Sequence, residues 1–170
     1  MATTYHDVFK AQIIFRLEEK KVHLLKCIDQ LSEEDIWWRP NESSNSVGNI
    51  LLHLCGNIGQ YIISSLGQQP DIRERDVEFA ARKGFDKNKL WKKMAATIEE
   101  ACSVVAASSS EEMLRIRTVQ GFEFSGLGVA LHAVEHLSYH TGQVAYLVKL
   151  LKDRQIGLYD DFDLNQKNET

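Results

Sequence analysis

The sequence predicts an all-α protein, a four-helix bundle formed by a single domain over residues 1–170. Three observations predict this fold. Apolar residues recur every three, four and seven positions in four long segments, which is the spacing of one helix face. Turn-forming residues separate these segments, and 44% hydrophobic with 26% charged residues is an ordinary globular composition. Because each amphipathic helix must bury its apolar stripe against others, four such helices indicate a bundle.

The first helix is predicted from about Thr4 to Leu31. Its apolar stripe consists of Phe9, Ile13, Leu17, Leu24 and Ile28. Ser32 is followed by three acidic residues, a pattern typical of the cap and first turn of a short helix. The segment Trp37-Trp38-Arg39-Pro40 should end that short helix, because proline cannot continue it.

The second helix is predicted from Val47 to about Ser65, with Asn45 or Ser46 as its cap. Gly67 and Pro70 should end it, and the charged segment from Gly67 to Gly84 shows no sustained periodicity, which indicates a loop. This long connection leaves a crossover topology open. Asp86 should cap a third helix that ends at Ser108. Its apolar stripe consists of Leu90, Met94, Ile98, Ala101 and Val105.

The last third of the chain begins with a segment from Arg115 to Ser125 that resembles an extended or turn structure centred on Gly121. Ser125 should open a fourth helix that runs to about Lys152. Its apolar positions are Leu127, Leu131, Val134, Ala145, Val148 and Leu151. The polar tail over about 153–170 is expected to fray.

Composition excludes several classes of protein. A net charge of -4 and a pI near 5.9 oppose a phosphate-binding surface, so no nucleic-acid partner is expected. No stretch approaches the roughly 18 apolar residues of a membrane span, and the first residues lack a signal-peptide pattern. We therefore expect a soluble, cytoplasmic protein. Cys27, Cys55 and Cys102 are isolated and odd in number, so they should be reduced thiols that pack as small apolar residues.

Histidines carry the strongest chemical signal in the sequence. His132, His136 and His140 follow one another at four-residue spacing, which places neighbouring Cβ atoms about 5–6 Å apart on one helix face. The second helix carries a polar stripe inside an apolar run, formed by Asn49, His53, Asn57 and Gln60. If both stripes face the bundle interior, their imidazoles can converge on one metal ion. The alternative is a set of hydrogen-bonded core histidines or a solvated stripe.

Two of these segments carry a family resemblance. The stretch from His136 to Gln143, with histidines at its first and fifth positions and Gly-Gln at its end, resembles the last-helix signature of DinB-like proteins. The stretch Asn45–Leu54 looks like the second-helix signature of one subfamily of unknown function. The segment Leu31–Pro40 is similar to that family's first inter-helix segment.

The resemblance implies a four-helix bundle in which His53, His136 and His140 bind a divalent transition metal, usually nickel or zinc. It places His132 one turn outside the ligand set. Gln143, one turn beyond His140, is a candidate for hydrogen bonding to a ligand or substrate, and the alternative is an ordinary glutamine on the helix face. Members of the family are often dimers, and some transfer thiol cofactors. A homodimer through the first or fourth helix is therefore expected, with Trp37, Trp38 and Tyr146 as weaker support from the sequence.

Two kinds of function remain open from the sequence. One is a metal-dependent enzyme that acts on a small molecule, such as a transferase that uses a low-molecular-weight thiol, or a hydrolase. The other is a non-catalytic metal-binding or stress-associated module, and a blander alternative is a helical dimer whose histidines only pack. A zincin protease is excluded, because Leu137 stands where the general-base glutamate of that motif is required.

Overall fold

The computed structural model describes residues 3–168, and four long helices dominate this part of the chain. They are α1 (Tyr5–Ile28), α3 (Val47–Ile58, continued by a π-helix over Gly59–Leu66), α5 (Lys87–Ala107) and α7 (Gly126–Lys152). Short elements connect them: α2 (Glu33–Trp37), α4 (Arg75–Ala80), α6 (Ser110–Leu114) and the antiparallel strands β1 (Ile116–Val119) and β2 (Phe122–Ser125). The predicted all-α bundle is confirmed. None of the helices described is both long and apolar enough to span a bilayer.

Polar caps start the helices at the predicted places. The Ser46 hydroxyl accepts a hydrogen bond from the Asn49 amide, while the Asn49 side chain accepts one from the Ser46 amide. Thr4 with Asp7 and Ser32 with Asp35 form the same reciprocal arrangement. Each pair satisfies backbone donors that a helix end would otherwise leave without partners.

The four long helices form a ring in which successive helices are not always neighbours. α1 packs mainly against α5 and α7, and α3 packs mainly against the same two helices. The connections that cross the bundle diagonally are therefore those from α1 to α3 and from α5 to α7. The long connection after α3, which the sequence singled out as a possible crossover, instead joins two neighbours and folds back over α3 through α4.

The core follows the predicted stripes in α1 and α5. All five predicted positions of α5 are buried. In α1 the predicted stripe residues Ile13, Leu17, Leu24 and Ile28 are buried as well. In α7 the prediction was partly wrong, since Leu131 is 57% exposed. The buried face of α7 is formed by Val129, Ala130, Ala133, Leu137, Val144, Ala145 and Val148.

Three local predictions need correction or refinement. The second helix ends as a π-helix, in which the Gly67 amide donates to the Ile62 carbonyl at 2.9 Å. The predicted loop contains the short helix α4. The segment around Gly121 is a β-hairpin, and its two turn residues Gln120 and Gly121 have φ angles of 52° and 83°, as tight hairpin turns require.

The first part of the predicted frayed tail packs against α1. Ile156 is 7% exposed, and Lys26 donates a hydrogen bond to the carbonyl oxygen of Gly157 at 2.8 Å. Arg154 also donates to the Gln30 side chain at 2.8 Å. The apolar residues Ile156 and Leu158 pack against the core and hold this segment in place despite its polar neighbours.

Candidate metal centre

The structure brings His53 of α3 together with His136 and His140 of α7. Nε2 of His53 lies 2.8 Å from Nε2 of His136, and the ring centroids of His53 and His140 are 4.9 Å apart. One nitrogen from each of the three residues lies within 4.8 Å of the others. Four-residue spacing puts both α7 histidines on one face, and the α3–α7 contact puts His53 opposite them. The three residues that the sequence predicted are thus adjacent in space.

Hydrogen bonds on the outer nitrogens orient two of the rings. Nδ1 of His53 lies 3.0 Å from a carboxylate oxygen of Glu78, and Nδ1 of His140 lies 2.7 Å from Oε1 of Gln143. Both partner oxygens only accept, so each Nδ1 must carry the proton and each Nε2 keeps its lone pair. This is the arrangement in which histidine binds a metal through Nε2. Gln143 thus lies where it can orient the ring of His140.

Glu78 is itself held by Arg73 in a nearly parallel pair of hydrogen bonds. Arg73 donates from Nε to one carboxylate oxygen at 2.8 Å and from Nη2 to the other at 3.0 Å. Nη2 also lies 3.1 Å from Nδ1 of His53, but it cannot donate there while that nitrogen donates to Glu78. Burial alone would raise the pKa of Glu78, and the hydrogen bonds from His53 and Arg73 more than offset it, so the pKa is lowered. Glu78 is thus an ionised acceptor at neutral pH.

The approach of Glu78 to α3 depends on a glycine. A Cβ atom at position 56 would overlap the Glu78 carboxylate and crowd the Arg73 guanidinium. Gly56 lies on α3 three residues after His53, so the absence of a side chain there lets the carboxylate reach the imidazole. The close contact follows from this one small residue.

Asn49 fixes the segment that carries Glu78. Its Nδ2 donates to the carbonyl oxygens of Glu78 at 2.8 Å and of Ala81 at 2.9 Å, while its Oδ1 accepts from Arg39 at 2.7 Å. Asn49 is fully buried, so these bonds form in an apolar surrounding where they are strong. The first residue of the predicted polar stripe is therefore a structural anchor for the site.

Sequence reasoning missed Glu78 and Arg73, because they belong to the segment interpreted as a loop. Six of the eight residues from Asp71 to Glu78 are charged, and their pattern is that of a solvated surface. The one available signal is that Glu78 stands between the apolar residues Val77 and Phe79. That signal does not distinguish a buried glutamate from an exposed one.

The histidines of α7 are held in their neutral form. Burial, followed by the neighbouring His140 and His53, lowers the pKa of His136 to about 3. Burial also lowers the pKa of His140, against the opposing hydrogen bond to Gln143. Neutral imidazoles are the form that binds metal, so the rings need not lose a proton when an ion binds at pH 7.

His132 lies one turn outside the cluster, as the resemblance implied. Its ring stacks on Tyr61, with the two centroids 4.2 Å apart, and lies 5.6 Å from the ring of His136. Burial lowers the pKa of His132 as well. It extends the row of imidazoles without joining the group of converging nitrogens.

A cleft of about 900 Å³ lies beside the centre but does not contain it. Arg73, Glu78 and Gln60 line one wall, and the exposed apolar residues Ile72 and Val77 line another. None of the three clustered histidines lines this cleft. The Glu78–Arg73 pair therefore lies between the cleft and the histidine cluster.

The cysteines are free within the described residues, as predicted. Burial raises the pKa of Cys27 and of Cys55 to about 11, and burial together with the nearby Glu18 raises that of Cys102 to about 12. Thiols with such pKa values are not thiolates at neutral pH. They pack in the core or at its margin.

The donor set fits a divalent transition metal. Neutral imidazoles are borderline ligands that suit zinc, nickel, copper and iron, so the residues do not select among these ions. Three protein ligands are typical of sites that leave coordination positions for water or a substrate, whereas purely structural zinc sites use four. The group can therefore hold an ion and present it to a small molecule.

Comparisons with known proteins identify the family and the fold of the chain. Residues 3–158 match the family described as "Protein of unknown function (DUF1572)". Among solved structures, the chain is similar to a DinB-like protein, YjoA, from Bacillus subtilis, with a TM-score of 0.64 and 15% identity over 82% of this chain and 91% of that one. No curated protein matches the chain. The match over most of its length shows that the chain belongs to the DUF1572 family, and its fold is that of a DinB-like protein.

Proposed function

We propose that this protein is a metal-dependent enzyme that joins a low-molecular-weight thiol to a small electrophile. The observation that carries the metal part is the convergence of three buried or half-buried imidazole nitrogens within 4.8 Å, two of them with their outer nitrogens already hydrogen-bonded. The thiol part rests on the resemblance to DinB-like proteins, some of which transfer thiol cofactors. His53, His136 and His140 are the proposed ligands.

A divalent ion held by His53, His136 and His140 would supply Lewis acidity, which would lower the pKa of a bound thiol toward neutrality. In the overall reaction, a carbon–sulfur bond forms while the bond from carbon to the leaving group breaks. The thiol proton passes to the leaving group or to solvent. The chain's own residues bind and orient the reactants, and no carboxylate within the cluster itself is needed as a base.

The surrounding residues have defined parts in this proposal. Glu78 and Gln143 keep the rings of His53 and His140 in the orientation that exposes Nε2. Arg73 neutralises the Glu78 carboxylate, so the cluster is not surrounded by uncompensated negative charge. Because three neutral imidazoles do not offset the charge of a bound divalent ion, the loaded site would attract an anionic thiolate.

Elemental analysis of protein purified without a histidine tag tests the first part of the proposal. We expect one transition-metal ion per chain, lost in His53→Ala, His136→Ala and His140→Ala. In His132→Ala most of the metal should be retained, since that ring lies outside the cluster. Loss of metal from His132→Ala together with retention in His136→Ala would show that the ligand assignment is wrong.

Turnover is tested separately, with the metal-loaded protein, a chromogenic aryl halide and a low-molecular-weight thiol. We expect thiol addition to be faster than with the same concentration of free ion, and His136→Ala serves as the matched control. A loaded protein that shows no acceleration would favour the non-catalytic metal-binding module.

A further inference from the structure

Asn57 presents a buried polar atom that the fold does not use. Its side chain is 3% exposed, and its Oδ1 has no hydrogen-bond partner among the described residues. A buried acceptor without a partner destabilises a protein, and an apolar residue of similar size at the same place would not. A residue that lowers stability in this way is expected to have a partner that is not part of the chain.

The helix register places Asn57 beside the histidine cluster. Asn57 follows His53 by four residues within α3, so the two side chains lie on the same face. His53 contacts His136 and His140 of α7, while Tyr61, further along the same helix, stacks on His132. Asn57 therefore lies between these two levels, opposite the stretch of α7 that separates His136 from His132.

The local backbone adds a second, independent observation. The α-helix changes to a π-helix at Gly59, two residues after Asn57. π-helical segments are rare and occur frequently at functional sites, where their wider hydrogen-bonded turn redirects side chains. Here the change accompanies the stacking of Tyr61 on His132, and the Tyr61 hydroxyl donates to Gln120 of the hairpin turn at 3.1 Å. The side of the cluster next to Asn57 is thus formed by three separate elements.

We propose that Asn57 binds the small molecule taken by the three-histidine centre, by accepting a hydrogen bond from an N–H or O–H group of that molecule. The inference rests on the proposed function and adds a chemical requirement to it. Asn57 lies one helical turn, a rise of about 5.4 Å, beyond His53. Because the hydrogen bond and the coordination bond span part of that distance, the donor group must lie only a few bonds from the atom that reaches the metal. Preferred ligands are therefore two-point ligands, such as a thiol with a hydroxyl or amino group a few bonds away.

Cobalt-loaded protein gives a test that does not depend on turnover. Dissociation constants of mercaptoethanol and of ethanethiol are measured from the visible absorption of the bound cobalt ion, in wild type and in Asn57→Leu. The quantity compared is the ratio of the two constants, which cancels the intrinsic affinity of each thiol for cobalt. We expect the preference for mercaptoethanol to fall about tenfold in Asn57→Leu, as the loss of one buried hydrogen bond predicts.

Two further variants serve as controls. Ser65→Ala removes another buried side-chain oxygen without a partner, the Ser65 hydroxyl, and should leave the ratio unchanged. Asn57→Asp keeps an acceptor oxygen at the same place and should preserve the preference for mercaptoethanol over ethanethiol. This variant tests the role of the acceptor if Asn57→Leu does not fold. The metal-free Asn57→Leu protein should also melt at the same temperature as wild type or higher, because it removes an acceptor that has no partner in the fold.

The outcomes separate this inference from the proposed function. Wild-type protein that binds no cobalt would overturn both. Cobalt binding with the same ratio of constants in wild type and Asn57→Leu would overturn the role of Asn57 alone. The same holds if Asn57→Asp, which retains the acceptor, loses the preference for mercaptoethanol.

Discussion

At the scale of single residues, the carboxylate of Glu78 is the main determinant of how His53 is presented. Both of its oxygens accept hydrogen bonds from Arg73, and one of them also accepts from the imidazole, so neither partner is free to rotate. Outer partners of this kind fix the tautomer of a histidine and raise its basicity as a ligand. The strength of metal binding should therefore depend on a residue that does not touch the metal.

We predict that Glu78→Gln weakens metal binding about 10–100-fold, the usual effect of removing a carboxylate that supports a ligating histidine. Competition with a chromophoric chelator at pH 7.5 measures the affinity. Glu74→Gln is the matched control, because Glu74 is an exposed carboxylate only four residues away. Equal affinities in the two variants would show that Glu78 serves the fold alone.

The sequence could predict the individual histidines, but it could not predict Glu78 as the hydrogen-bond partner of His53. Four-residue spacing is a property of one helix, and a polar residue in an apolar run such as Ile50–Leu54 indicates an inward-facing side chain. The contact between His53 and Glu78 joins residues 25 positions apart across a connection of irregular backbone. No periodic pattern encodes such a contact. Gly56 permits it, but from the sequence alone Gly56 is only a residue of low helix propensity.

At the scale of secondary-structure elements, α4 is held to α3 mainly by polar contacts. Asn49 donates to the carbonyl oxygens of Glu78 and Ala81 at the end of α4, and Arg39 donates to that of Phe79. The Glu78 carboxylate accepts from His53 of α3 and from Arg73. α4 is six residues long, too short to be stable alone, and only Glu78 among its residues is buried. The position of Glu78 at the centre thus depends on a side chain of a different helix.

We predict that Asn49→Ala lowers the free energy of unfolding by roughly 2–3 kcal/mol, because it leaves buried carbonyl oxygens and Arg39 without their partner. Urea denaturation followed by circular dichroism measures the change. Asn88→Ala, at an exposed position of α5, should be nearly neutral. If Asn49→Ala proves as stable as that control, the polar attachment of α4 contributes little.

The boundaries of the long helices could be predicted because caps and breakers act locally. Ser46, Asp86 and Ser125 cap the helices that they were predicted to cap. The π-helix after Ile58 could not be predicted, since the residues Gly59–Leu66 show the same apolar repetition that an α-helix shows. Which hydrogen-bond pattern forms there depends on packing against α5 and α7.

At the scale of the whole molecule, the stability of the metal-free protein should depend on pH through its buried histidines. The pKa of His136 is about 3 in the folded chain, and an imidazole in the unfolded chain titrates near 6.5. Below about pH 6.5 this imidazole therefore binds a proton in the unfolded chain but stays neutral in the folded chain. The free energy of unfolding consequently falls as the pH falls toward 3. The lowered pKa values of His140 and His132 act in the same direction.

We predict that the metal-free protein loses stability between pH 7.5 and pH 5.5, in a range where the Glu78 carboxylate, with its lowered pKa, stays ionised. The free energy of unfolding at a series of pH values measures the slope. In His136→Gln the free energy of unfolding should change less steeply with pH, because the imidazole that is protonated only in the unfolded chain has been removed. A wild-type slope equal to that of His136→Gln would contradict the burial of a neutral imidazole at this position.

A homodimer remains our prediction for the assembled molecule. Trp37 does not support it, since its indole donates to the Phe85 carbonyl within the same chain. α7, however, carries an exposed apolar stripe on its outer face, formed by Leu131, Tyr139, Tyr146 and Leu150, each more than half exposed. Light scattering should give twice the mass of one 19.4 kDa chain for wild type, and the mass of one chain for Tyr146→Glu. Phe162→Glu, at an equally exposed position in the tail, should stay dimeric, and a monomeric wild type would refute the interface.

The diagonal placement of successive helices has a consequence for the order of folding. α3 and α5 are the only pair of long helices that are both consecutive and, among the described residues, mainly packed together. α1 and α7 find their main partners far away in sequence, so their docking must overcome a larger loop-closure entropy. The three histidines are assembled only when α7 docks, because His53 and His136 lie 83 residues apart. An ion that is bound by all three histidines should therefore slow unfolding far more than it accelerates folding, because it stabilises the folded bundle and not the transition state.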